Sequence, residues 1–174
     1  MARIIKDRRI VEDRWHIVKP ANDGAFPSLP DDADIIMPLK LWLVRKGMLA
    51  QRTGRTGVWL DSHQEPELLA ADAASLPLIA VNFPRFADGR GYSIARLLRE
   101  RCAFRGELRA IGDVLRDQIY YMHRCGFNAF DVRADKSIED ALDAFSDFSD
   151  SYQTSVDQPI PYFRRRLNHG RQQT

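Results

Sequence analysis

Apolar and polar positions alternate along this chain with a regular beat. Short apolar runs are followed by longer stretches in which apolar residues recur every three or four positions, and the pair repeats five times between Asp34 and Phe148. A compact apolar run predicts a strand covered on both faces, and the wider spacing predicts a helix with one buried stripe. The strands are expected over 34–37, 58–60, 76–83, 107–111 and 127–132, and the helices over 39–50, 66–74, 93–102, 114–125 and 137–148. In the first helix Leu41, Val44 and Met48 form the expected inner stripe, widened by Leu39, Trp42 and Leu43. The third should bury Ile94, Leu97, Leu98 and Cys102, the fourth Leu115, Ile119 and Met122. The last should bury Ile138, Leu142, Phe145 and Phe148. Gly126 stands where a C-terminal glycine closes a helix, and Ser137 where a hydroxyl caps one.

Five strand-then-helix units predict an α/β domain with a largely parallel sheet. The expected organisation is a single domain over 1–158. Within it, 3–19 form an N-terminal β ribbon and 34–150 the β/α core. An open, doubly wound sheet is the preferred form. A partial β/α barrel is the alternative, since five units fall short of the eight that closure requires. Residues 20–33 carry three of the nine prolines and read as a loop. Beyond an acidic stretch at 138–157, Pro159 and Pro161 break regular structure, and 159–174 read as a basic flexible tail containing Arg164, Arg165 and Arg166.

Hydrophobic content of 44% against 29% charged residues excludes wholesale disorder. A net charge of +2, from 26 basic and 24 acidic side chains, argues against a general nucleic-acid binder. Of those bases 21 are Arg, whose planar fork suits carboxylates, phosphates and sulfur oxyanions. The cysteines, Cys102 and Cys125, form no Cys-x-x-Cys pair, and both fall near helix C-termini, where the dipole disfavours a thiolate. They read as buried small residues. His16, His63, His123 and His169 are scattered, so no metal site and no cofactor motif is recognisable. No run approaches the ~20 apolar residues of a membrane span, and the charged N-terminal stretch has no signal-peptide core. A soluble, cytoplasmic protein without membrane contact is expected, with homo-oligomerisation left open.

In an open α/β sheet ligands gather beyond the carboxyl ends of the strands. Those ends carry Asp61 and His63, then residues 85–93, then Gly112 and Asp113, then Asp131 and Arg133. The stretch NFPRFADGRGYSIARLLRER stands out. Gly89 and Gly91 would permit unusual backbone angles and close approach, and a helix starting near Ser93 would offer free amides to an anion. Arg85, Arg90 and Arg96 would add charge-assisted hydrogen bonds, with Asp88 in the turn and Asp113 pairing with an arginine such as Arg90. The competing reading is a tight turn, because Asp-Gly is ordinary turn chemistry and neither a dinucleotide fingerprint nor a P-loop is present. Asp117 and Arg133 are secondary candidates; Asp117 also suits a helix start for electrostatic reasons alone. Tyr120, Tyr121 and His123 fall mid-helix and suggest packing or surface positions.

The blocks FPRFADGRGYSIARLLRER, GELRAIGDVLRDQI and MHRCGFNAFDVR, with DIIMPLKLWL and SIEDALDAFSDFSDSYQ, resemble an uncharacterised bacterial domain-of-unknown-function family. Members are labelled as oxidoreductases of sulfite reduction, because their genes lie beside those of sulfite and sulfate assimilation. The resemblance implies an accessory protein of that chemistry, binding a small oxyanion or docking onto sulfite reductase or another sulfur-assimilation protein. An enzyme acting on a sulfur oxyanion or adenylyl sulfate, and a purely structural adaptor, are the alternatives. The resemblance carries no catalytic residue with it.

Overall fold

The computed structural model describes residues 2–19, 30–148 and 151–165. The proline-rich loop at 20–33 and the tail therefore lie partly outside the described residues, Arg166 included.

The chain opens with a two-residue hairpin. β1 (Arg3–Lys6) and β2 (Arg9–Glu12) pair antiparallel across Asp7 and Arg8, whose φ angles of 48° and 60° give the left-handed turn that matches strand twist. After three linking residues come β3 (His16–Ile17) and β4 (Ile35–Pro38). The β/α units then run α1 (Leu39–Leu49), β5 (Thr56–Leu60), β6 (Leu78–Phe83), α2 (Arg90–Glu100), β7 (Glu107–Gly112), α3 (Arg116–Arg124), β8 (Ala129–Phe130) and α4 (Ile138–Asp143). Between β5 and β6 the expected helix is replaced by two 3-10 turns, Pro66–Leu69 and Ala73–Ser75, which seat Pro66, Leu69 and Ala73 in the core.

All eight strands join one sheet in the order β2-β1-β8-β7-β6-β5-β4-β3. From β3 to β8 the pairing is parallel and the order sequential, and only the N-terminal ribbon is antiparallel. A doubly wound sheet requires a point where the order reverses, and none occurs here. Right-handed crossovers that always step the same way place their connections on one face and make the sheet curl. The barrel-like alternative is therefore the form adopted.

The link between β2 and β3 shows how far the curl goes. These strands lie at opposite edges of the sheet, about 34 Å apart if seven gaps of ~4.8 Å were laid flat. Only Asp13, Arg14 and Trp15 join them, a reach of at most about 14 Å. The sheet is thus a half-barrel whose edges approach each other.

Strand alternation assigns the two faces. Ile35, Val58, Ile79, Val81, Leu108 and Phe130 face the helices and form the main core. Ile36, Leu78, Ala80 and Ile111 point into the concave side, where Trp15, Ile17 and Trp59 cover them. α1 departs from its expected phase: Leu39 and Trp42 are buried, while Val44 and Met48 are 83% and 73% exposed. Pro38 ends β4 and Leu39 begins the helix with no loop between them, so the strand dictates which side of α1 faces the sheet. Phe148 is also exposed, because α4 gives way to a 3-10 turn at Ala144–Ser146; its ring rests on Tyr120 instead. Ser137 caps α4, accepting the Asp140 amide at 3.0 Å, and Gly126 closes α3 at φ 110°. Among the described residues no helix is long and apolar enough to cross a membrane.

Candidate functional site

In the β6–α2 loop Arg90 is satisfied by the loop's own Asp88, while Arg85 is left unpaired among the described residues. α2 begins at Arg90, three residues earlier than expected, and Ser93 sits exposed inside the helix rather than capping it. Asp88 occupies the helix start: its carboxylate accepts the Arg90 amide at 3.2 Å and the Arg90 guanidinium at 2.8 and 2.6 Å. Arg90, with Ser62, holds the Asp88 carboxyl well below its ordinary value, so a fixed negative charge already lies where an incoming anion would sit. Arg96 turns along the helix to Glu100 at 2.8 Å. Arg85 is exposed and has no ion pair or hydrogen-bond partner among the described residues.

The glycines of this loop serve packing. Gly89 has an ordinary φ of −79°. Gly91 is buried against Phe83, whose ring would lie 2.6 Å from an added Cβ. The glycine that needs its freedom is Gly112, at the end of β7. Its φ is 94°, and a Cβ there would come within 2.5 Å of both the Asn82 side chain and the Phe83 carbonyl.

Asp113 does bridge neighbouring loops, but its arginine is Arg133 rather than Arg90. Its carboxylate accepts the Phe86 amide at 2.8 Å from the β6–α2 loop and Arg133 at 2.7 Å from the chain after β8. Arg133 also pairs with Asp135 at 2.6 Å. Asp117 is an exposed first-turn acid of α3 and joins no cluster among the described residues. Cys102 and Cys125 are buried, and burial pushes both thiols up, as inert cysteines require.

The carboxyl ends of the strands open instead onto a cavity of about 290 Å³ on the concave side, lined by Lys19, Trp59, Asn82, Gly112, Asp131 and Arg133 among others. Each follows from strand parity or loop placement: Trp59 lies opposite Ala80 on neighbouring strands, and Asp131 follows directly on β8. The Trp59 indole donates to the Val18 carbonyl at 3.1 Å, fixing the ring as one wall. Asn82 is steadied by its donation to Asp61 at 3.1 Å. Lys19 is exposed, and neither it nor the Asp131 carboxyl has a hydrogen-bond or ion-pair partner among the described residues. Burial raises the Asp131 carboxyl above its ordinary value, opposed in part by Arg109.

Beneath the cavity lies a closed charge network. Arg109 is 1% exposed and binds Glu107 at 2.7 Å and Asp13 at 2.8 Å; Lys6 completes it on Glu107 at 2.7 Å. With its donors spent on these two carboxylates, Arg109 makes no bond to Asp131. Sequence reading reached Asp131 and Arg133 as strand-end residues. It missed Lys19, Trp59 and Asn82, whose only signal was the strand parity that points them to the concave face. Among the described residues no group of three or more His, Cys, Asp or Glu is placed to hold a metal ion.

These features define a half-barrel α/β protein with a ligand-sized mouth at the carboxyl ends of its parallel strands, the position at which β/α folds bind small molecules. The chain belongs to the DUF934 family, bacterial proteins of unknown function, whose family model matches residues 57–163. That match runs from the second residue of β5 to beyond α4 and includes Trp59, Asn82, Asp131 and Arg133, while Lys19 lies outside it. No curated protein and no solved structure matches the chain.

Proposed function

We propose that this protein is an accessory protein of assimilatory sulfite or sulfate reduction that binds a small oxyanion in the mouth of the half-barrel. The observation that carries this reading is the cavity whose lining includes Asn82, Arg133 and Lys19, the last without a partner among the described residues. A partly enclosed site strengthens charge-assisted hydrogen bonds, and Lys19 is a cation free to make them, while Arg133 already serves Asp113 and Asp135. The start of α2 is a weaker place for the ligand, because an anion there would have to displace Asp88. The sulfur chemistry, and sulfite reductase as partner, come from the resemblance to proteins encoded beside sulfur-assimilation genes.

The unpartnered Asp131 supports a second reading at the same place, an enzyme acting on a sulfur oxyanion with Asp131 as acid or base.

A thermal-shift titration with sulfate, sulfite and adenosine phosphosulfate tests the binding. Lys19→Ala and Arg133→Ala should remove the stabilisation and Arg90→Ala should keep it; the reverse pattern would return the site to the β6–α2 loop. Growth of a strain lacking the gene on sulfate, sulfite or cysteine tests the pathway. Equal growth on all three sources would overturn the sulfur role.

A further inference from the structure

Asp131 is an anomaly among the partly buried aspartates of this molecule. Asp13, Asp34, Asp61, Asp88 and Asp113 all accept hydrogen bonds from named donors. Asp131 accepts none among the described residues, although it lines the mouth and sits next to a buried arginine. The charged groups acting on it are Arg109 on β7, Asp13 on the β2–β3 link and Lys19 after β3. Arg109 is saturated by Glu107 and Asp13, and Asp13 repels. Lys19 lines the same cavity without bonding to it and favours its ionised form. Arg133, two residues further along, is turned to Asp113 and Asp135.

Such a carboxyl has two ways to meet a ligand. Ionised, it would attract a cation, but the unpaired Lys19 lines the same space and repels one. Neutral, it is a hydrogen-bond donor in the same lining as the unpaired Lys19 ammonium. Sulfate presents only acceptors and suits that arrangement. We infer, resting on the oxyanion reading above, that Asp131 is the selectivity group of the mouth: its protonated carboxyl donates a hydrogen bond to the bound oxyanion, and binding takes up a proton from solution. Burial, which favours the neutral form, prepares it for this role. By linkage, whatever favours the proton favours the ligand, and the ligand favours the proton equally.

Sulfate is the probe, because it carries no proton of its own at neutral pH and any proton taken up must reside on the protein. Calorimetric titration in buffers of different ionisation enthalpy counts that proton directly. The intact protein should bind sulfate with proton uptake, its affinity falling about tenfold per pH unit above the carboxyl's titration. Asp131→Asn, close to isosteric and able to donate without titrating, should bind sulfate with no uptake and a flat pH profile. Asp131→Ala, with no donor, should bind more weakly than either. Sulfate binding by the intact protein with no proton uptake, or a profile unchanged in Asp131→Asn, overturns the role of Asp131 and leaves the oxyanion site standing. Absence of sulfate binding in the intact protein and in Asp131→Asn at every pH overturns both.

Discussion

Arg109 and Asp13, 96 positions apart, are joined by two hydrogen bonds of 2.8 and 3.0 Å inside the half-barrel. The pair fastens the link between the two sheet edges to the middle of the sheet. It thereby holds the curl that gives the concave face its depth.

Removing the guanidinium would strand Asp13, and leave Glu107 with Lys6 alone, in a site where Arg109 is only 1% exposed. Arg109→Met should cost about 3–5 kcal/mol, the usual penalty for breaking a buried pair. Urea denaturation measures it, and a loss below about 1 kcal/mol, the range of a surface ion pair, would count against a closing role for this pair.

The glycines separate by cause. At Gly91 an alanine methyl would press on the buried Phe83 ring, an overpacking cost of about 1–3 kcal/mol. At Gly112 the positive φ and the nearby Phe83 carbonyl make alanine strained as well as crowded, with a loss of about 1–3 kcal/mol and a distorted mouth. Gly89→Ala, with its nearest neighbour 3.7 Å away, should be neutral or gain about 0.4–1 kcal/mol. A large loss at Gly89 would show that the loop needs glycine's backbone after all.

Asp131 should lower stability at neutral pH. Its carboxyl keeps its proton to higher pH in the folded chain than its ordinary value of 3.8. Its contribution is therefore present below pH 3.8 and is lost as pH rises through the folded value. Asp131→Asn should accordingly melt at a higher temperature than the intact protein at pH 7, with the gap closing as pH falls. Equal melting temperatures across that range would remove the argument that Asp131 is held under strain.

His123 has the opposite sign. It lies half-buried between the Phe127 carbonyl, 3.3 Å from Nδ1, and Arg8, 3.1 Å from Nε2. Burial lowers its titration below the ordinary 6.5, and the Arg8 charge adds to this. Above pH 6.5 both folded and unfolded chains hold it neutral; below, the unfolded chain takes the proton first and stability falls. The urea midpoint should drop between pH 7 and pH 5, and His123→Gln should lessen the drop. An unchanged slope in that variant would place the acid sensitivity elsewhere.

The outer face of α1 offers a test of helix phase. Val44→Glu and Met48→Glu should each change stability by less than about 0.5 kcal/mol, as surface substitutions do. Trp42→Ala should cost about 3–5 kcal/mol. A heavy penalty at Val44 would mean that α1 is rotated relative to the structure described here.

The class of fold was legible because local patterning suffices for it. The apolar run LPLIAVNF could only be a covered strand, and Ser137 and Gly126 punctuate their helices through local bonds. The phase of α1 was not legible, since LKLWLVRKGML offers apolar residues on several sides and only the abutting strand selects one. The pairing of Arg90 within the β6–α2 loop was not legible for a related reason. The loop's arginines advertise an anion site, yet whether a guanidinium is free depends on the nearest carboxylate, which spacing alone does not reveal.

What the sequence determined by itself was the alternation of β and α, the ribbon, and the carboxyl-end residues from which a site would be built. These depend on contacts within a few positions, where residue type dictates geometry. The tertiary structure alone decided that the sheet curls, that Asp88 stoppers its own helix, and that Arg109 spends its donors on Glu107 and Asp13 while Asp131 is left facing Lys19. Those outcomes depend on which distant side chains share a small volume, and charge pairing in a confined space is settled by position in three dimensions.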